Sequence, residues 1–322
     1  MCGLATQADP GLTRRPSKHG TSRPSPLTPG LLLLRLKVGL NILKLRARID
    51  ATSTTIMMNG LTLVPEPQHW WRGHNGVRLG GDTLGDPSGT PVMLLHGAGQ
   101  TRHSWRHMAH LLGEAGFHVI SFDARGHGCS DWPTDCNYSQ GAMVRDLERI
   151  AHSLGVTRPI LIGAATGAAT SLLAVGENFV DARGLILINF APQTEPVGVA
   201  RIQSDMRQQA VSTGKSGSCD PHFVSWPRDM ARRHQRLIAS ARKLAQPTLL
   251  MRGEKSDVIS ELGVAEFCAL CPQAEYVRIQ GAGHQLGEYD EICGEKVLRF
   301  ISRRIVNSRS RTKRLYEQAR LE

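Results

Sequence analysis

From residue 77 onward, short apolar runs alternate with segments whose apolar residues recur every three or four positions. The runs Pro91–Leu95, Val119–Phe122, Pro159–Ile162, Gly184–Ile188, Thr248–Met251 and Tyr276–Ile279 are dominated by Val, Ile, Leu and Met and predict strands. Between them, His103–Ala115, Gly141–Leu154, the stretch through Ser171, Leu172 and Val175, Glu261–Cys271 and Glu291–Ile305 carry helical spacing, as with Met143, Leu147, Ile150 and Leu154. A strand that is apolar at successive positions is buried on both faces. The pattern therefore predicts an α/β fold, a mostly parallel sheet with helices on both sides. In such sheets ligands sit beyond the carboxyl ends of the strands, so chemistry is sought in the residues that follow each run. The stretch 192–246 breaks the alternation and reads as a helical insertion, with runs at Arg201–Ala210 and Arg228–Leu244.

Charge changes the picture less than its total suggests. Lys and Arg number 39 against 28 Asp and Glu, a formal +11. Residues 1–50 hold +7 of it and residues 301–322 hold +5, leaving a body of −1. The basicity belongs to two ends, which argues against nucleic acid as the partner of the body. Residues 1–56 read as a disordered basic leader, 57–306 as the globular domain and 307–322 as a basic tail. Within the leader, residues 31–49 alternate Leu with Arg and Lys too closely to span a bilayer, yet they suit an amphipathic helix on a membrane surface. Translation starting near Met57 or Met58 accounts for the leader equally well.

Seven cysteines at irregular spacing do not form a disulfide framework, and a reducing, cytoplasmic setting with peripheral membrane association is expected. Cys268 and Cys271 form a CxxC without a second ligand pair, so they read as small helix residues. His103, His107 and His110 share one helix face with no acidic or Cys partner among them. No P-loop, dinucleotide fingerprint or metal-ligand cluster stands out, so no cofactor and no metal are expected.

The strand ends carry the specific signal. They read His96-Gly97-Ala98-Gly99-Gln100-Thr101-Arg102-His103-Ser104-Trp105, then Asp123-Ala124-Arg125-Gly126-His127-Gly128-Cys129-Ser130, then Gly163-Ala164-Ala165-Thr166-Gly167-Ala168, and finally Arg252-Gly253-Glu254-Lys255-Ser256-Asp257 and Gly281-Ala282-Gly283-His284. In this order and spacing the chain, over about residues 76–306, resembles the α/β-hydrolase superfamily, bacterial serine-hydrolase-like members in particular. The resemblance implies a G-x-S-x-G elbow with the nucleophile in the middle, followed in the chain by an acid and a histidine. Here Gly163 and Gly167 flank Ala165, whose methyl group attacks nothing. It further implies Asp257 as the acid, His284 as the base, and the amides of Ala98 and Thr166 as the oxyanion hole. Thr166 is not expected to replace the nucleophile, since the residue after the elbow donates its amide and turns its side chain away. Asn189 stands where some members carry another carboxylate, and Glu254 is a spare acid in the same turn as Asp257. The insertion 192–246 becomes a lid over the site, with Met206, Phe223, Trp226 and Met230 as pocket material. Arg232, Arg233, Arg236, Arg242 and Lys243 read as a solvated face.

Three functions remain open at this point. One is an enzyme acting on a small, largely apolar molecule without an acyl-enzyme, through His284, Asp257 and the anion hole. The second is a non-catalytic member that binds a small molecule or a partner. The third is an ordinary serine ester hydrolase seen as a Ser-to-Ala variant, against which stand the further departures at Thr166 and Ala168 from a G-A-S-L/M-G-G pattern.

Overall fold

Alternation at period two sorts each apolar run between two faces of one sheet. Met93 and Leu95 enter one buried cluster with Leu161, Leu185, Leu187 and Leu250, whereas their neighbours Val92 and Leu94 enter the opposite one with Ile160, Ile162, Ile186 and Leu249. The structure, a computed structural model, describes residues 57–58, 61–62, 66–213, 219–226, 229–285 and 290–306. The basic leader, with its 31–49 segment, and the 307–322 tail lie outside the described residues.

A small antiparallel ladder joins β1 (Met57–Met58) to β2 (Leu61–Thr62). The main sheet holds β3 (His69–Arg72), β4 (Arg78–Gly85), β5 (Pro91–Leu95), β6 (His118–Phe122), β7 (Ile160–Ala164), β8 (Gly184–Ile188), β9 (Thr248–Gly253) and β10 (Ala274–Ile279). Its order is β10-β9-β8-β7-β5-β6-β4-β3. The strands from β6 through β5 to β10 pair in parallel, and β4 runs antiparallel to both β6 and β3. Because the chain leaves β5 toward β6 on one side and returns to β7 on the other, a crevice opens at the carboxyl ends of β5 and β7.

Helices α1 (Arg106–Glu114) and α8 (Asp290–Phe300) cover one face through Met108, Leu112, Val297 and Phe300. Helices α2 (Gln140–Ser153), α3 (Thr166–Gly176), α6 (Met230–Ala241) and α7 (Glu261–Leu270) cover the other through Leu147, Leu172, Leu237 and Phe267. Two more helices, α4 (Pro196–Thr213) and α5 (Pro221–Ser225), lie in the 192–246 insertion. The insertion is thus divided. Helix α6 sits in the covering layer, where Gly176 lets Ser240 approach so closely that a Cβ would lie 2.5 Å from its side chain. Arg236 of that helix is engaged by Glu177 rather than free in solvent, with Nη2 donating at 2.7 Å. No described helix is long and apolar enough to cross a membrane.

Two buried ion pairs fasten the β6 end. Arg125, fully buried, donates Nε and Nη2 to the two oxygens of Asp146 at 2.6 and 2.7 Å, and reaches the carbonyls of Asn137 and His74. Asp123, also fully buried, accepts the Arg102 amide and Nη1 at 2.6 Å each and the Cys129 amide at 2.9 Å. The Asp123–Ser130 segment thus carries scaffolding charges, each paired inside the fold. Removing one partner strands the other without water. Asp146→Asn is expected to cost about 3–5 kcal/mol, read as a lower urea midpoint at unchanged slope.

Candidate active site

The strand β7 ends in a turn that few L-residues adopt. Ala165 has φ 46° and ψ −104°, a conformation costing of order 1–3 kcal/mol unless its surroundings enforce it. They do. Its amide donates to the Ile188 carbonyl at 2.9 Å. Gly163 and Gly167 admit the backbone on either side, since a Cβ on Gly167 would lie 2.2 Å from the Leu95 carbonyl oxygen and one on Gly163 would lie 2.5 Å from the Ala168 amide. The turn delivers the chain into α3, whose first amide, that of Thr166, has no acceptor within the helix. Helix α3 points its positive end at the crevice.

The loop after β5 lies alongside. The Gly97 Cβ position is 3.6 Å from the Ala165 methyl carbon. The Gly97 amide is taken by Gln100 Oε1 at 2.9 Å, and the next amide, that of Ala98, has no acceptor among the described residues. Ala98 and Thr166 thus follow β5 and β7 at the crevice, and neither amide has an acceptor among the described residues. The Thr166 side belongs to a cavity of ≈ 30 Å³ shared with Leu95, His96, Met143 and Thr170, room for about one water.

Two histidines hold the surrounding loops in a fixed tautomer. Ala124 donates its amide to His96 Nε2 at 2.9 Å, so His96 carries its proton on Nδ1 and gives it to the Gly97 carbonyl at 2.8 Å. Complete burial favours this neutral form and lowers its pKa. His127 repeats the arrangement, accepting the Gly99 amide on Nε2 at 3.2 Å and facing the Arg125 carbonyl with Nδ1 at 3.0 Å. Neither ring has a nitrogen left for a substrate.

His284 follows β10 in a turn pinned to the β8 and β9 ends. Asn189 Nδ2 donates to the His284 carbonyl at 2.6 Å, and Asn189 Oδ1 accepts the Gly253 amide at 2.8 Å. The amide at position 189 is thus a two-ended brace, where a carboxylate would lack the donor. Glu254 closes the same turn by accepting the Gly281 amide at 2.9 Å.

The expected contact between Asp257 and His284 is not made. Asp257 is held by Arg201 of α4, with Nε donating at 2.6 Å and Nη2 at 2.9 Å, and Arg201 also reaches Asp205 at 2.9 Å. A fork of two charge-assisted bonds outcompetes a single bond to a neutral ring. The nearest partner of His284 Nδ1 is instead Ser256 Oγ at 3.0 Å. The Arg201 hydrogen bonds hold the Asp257 carboxyl below the usual carboxylate range. Burial foremost, opposed by Asp257 and assisted by Arg201, pushes the His284 imidazole down to about 4.

The roof over the crevice is apolar. Met206 of α4 sits against Gly99, where a Cβ would lie 2.9 Å from its Cγ. It clusters with Tyr138, Met143, Phe223 and Val224, against which Ala98 and Trp226 pack. Asp220 anchors this roof by accepting the Tyr138 hydroxyl while capping α5 through the His222 amide at 2.8 Å. Arg201 and Ser256 escaped the sequence reading: the first is one of many arginines in a helical run, and the second is adjacent to an acid that matched a motif. Among the described residues no group of three or more His, Cys, Asp or Glu side chains is placed to hold a metal.

Comparison with known proteins bears on this arrangement. A family model for the alpha/beta hydrolase fold matches residues 90–220. Epoxide hydrolase A of Mycobacterium tuberculosis is 36% identical over 95 residues, 29% of this chain and 30% of that protein. The 2-(acetamidomethylene)succinate hydrolase of Mesorhizobium japonicum is 25% identical over 58% of this chain and 78% of its own length. The chain thus spans less than a third of the first relative. In the solved structure of an alpha/beta hydrolase from Novosphingobium aromaticivorans, the match has a TM-score of 0.61 at 20% identity and covers 75% of this chain and 99% of that one. Sheet order, strained turn and these matches agree: the chain has the α/β-hydrolase fold.

Proposed function

We propose that the chain acts on a small, largely apolar carbonyl compound without forming an acyl-enzyme. The observation that carries this reading is the strained turn kept at Ala165 in the absence of any nucleophile. A turn costing of order 1–3 kcal/mol still aims the Thr166 amide into the crevice beside the Ala98 amide. The carbonyl oxygen rests between these two donors, which stabilise negative charge developing on it. His284, backed by Asp257, removes a proton from the carbon next to the carbonyl. The C–H electron pair becomes the enolate π bond, the carbonyl π pair moves onto oxygen, and His284 returns the proton to the product. The apolar roof of Met206, Phe223 and Trp226 suits a substrate without charge. The relatives named for epoxides and for 2-(acetamidomethylene)succinate act on small molecules.

The engagement of Asp257 by Arg201 favours a second reading, a binder that performs no chemistry. Restoring the hydroxyl tests whether the machinery is assembled. Ala165→Ser is expected to gain esterase activity on short-chain nitrophenyl esters. Adding His284→Ala to it is expected to remove that gain by about 10²-fold or more in kcat. An inert Ala165→Ser protein that folds normally overturns the placement of the site. Stabilisation of the parent by a short carboxylate such as butyrate, with no turnover of any carbonyl compound, favours the binder.

A base must be neutral at working pH, and His284 links that requirement to folding. Its imidazole titrates near 6.5 in the unfolded chain and at about 4 in the folded one. Between those values the unfolded chain binds a proton that the folded chain refuses, so stability falls as pH drops through this window. Below about 4 both forms are protonated and this contribution ends. Urea midpoints of the parent are therefore expected to fall more steeply from pH 6.5 to 4 than those of His284→Asn, and equal slopes would contradict a buried neutral ring.

A further inference from the structure

We propose that Arg201 is a positioning residue: with α4 seated it latches Asp257 away from His284, and its release hands the carboxylate to the imidazole. This rests on the reading of His284 and Asp257 given above and adds what governs them.

The latch is built into the backbone. The Glu195 amide donates to the Val258 carbonyl at 2.8 Å. Gly198 lets the first turn of α4 lie so close that a Cβ there would be 2.2 Å from the Asp257 carbonyl oxygen. Arg201 stands one turn further on and grips both Asp257 oxygens. Asp205 gives the guanidinium a second carboxylate, so Arg201 keeps a partner when Asp257 leaves. The pair is 45% and 41% exposed, so water competes for it and the contact is cheap to break. The same helix carries Met206, which sits against Gly99 in the roof. Entry of a substrate under that roof must displace α4 at this point, and so disturbs the latch.

The two states give His284 different roles. With Asp257 latched, Nδ1 faces Ser256 Oγ, which already accepts the Ile259 amide at 3.3 Å. The hydroxyl proton is then free to point at Nδ1, leaving the ring proton on Nε2, a donor. With Asp257 released, a carboxylate accepts Nδ1–H and leaves a lone pair on Nε2, a base. The charges acting on the ring are Asp257 and Arg201. Of the other charged residues described around that turn, Glu254 accepts the Gly281 amide, Arg252 is committed to Glu261 and to the Glu254, Ser256 and Ile259 carbonyls, and Lys255 is exposed with its amide on the Ala282 carbonyl.

The test is a cycle read on the full chain by NMR titration of the His284 ring, its signal assigned by loss in His284→Asn. Arg201→Gln is expected to raise the His284 pKa by about 1 or more. Asp257→Asn alone is expected to lower it, and Asp257→Asn added to Arg201→Gln to cancel most of the rise. Equal rises in Arg201→Gln and in the double variant overturn the latch, because the loss of a nearby cation then explains everything. No rise at all overturns it too. The readout needs no substrate, so a coupled pKa in an inactive protein keeps the latch and sinks the catalytic reading, and an uncoupled pKa in an active one does the reverse.

Discussion

The constraint on which the site depends is steric and lies at the end of β7. Ala165 holds a left-handed φ of 46° because Gly163 and Gly167 let backbone approach within distances that no side chain tolerates. That single turn reverses the chain from strand to helix at the crevice between β5 and β7. It fixes the direction of α3 and spaces the Thr166 amide from the loop after β5. Without it the helix would start elsewhere, and the loop after β5 would not lie against Ala165. The turn needs no reactive side chain, since Ala165 carries only a methyl group there with the strain intact.

What surrounds the turn is polar scaffolding held in low dielectric. Arg125 with Asp146, and Arg102 with Asp123, are buried pairs tied further to backbone groups and, through Arg102 Nε, to Asp82. His96 and His127 contribute in neutral form, each ring bridging an amide and a carbonyl. Burial disfavours the charged form of His96, and the hydrogen bonds select one tautomer of each ring, so the loops are held in a fixed arrangement. Among the described residues, the charges that act on the His284 ring are those of Asp257 and Arg201.

The sequence makes the central sheet legible because β5 to β9 are buried on both faces and read as continuous apolar runs. The antiparallel edge is not legible in the same way. Strand β4 contains Gly80 and Gly81 where a periodic pattern needs side chains. Gly81 is small because the Trp71 ring of β3 packs 2.4 Å from where its Cβ would be, and Gly80 because Pro67 occupies that space. The demand comes from a neighbour across the sheet, invisible to a count along the strand. The 192–246 insertion shows the same limit: helical spacing announces α6 but does not say that Leu237 and Ala241 join the sheet-covering layer while Met206 joins the roof.

At the site, positions were more legible than partnerships. The motif order marks Ala165, Asp257 and His284, which follow β7, β9 and β10. Which atoms meet is decided by groups distant in the chain: Arg201 lies 56 residues from Asp257, and Asn189 lies 95 from His284. A motif records the backbone geometry of a turn, which is local. The pairing of a carboxylate records a competition between a forked guanidinium and an imidazole, and that is settled by where α4 docks. The residues that fix the elbow are thus glycines readable from spacing alone, whereas Arg201, which holds Asp257, belongs to the insertion, where spacing carries no chemistry.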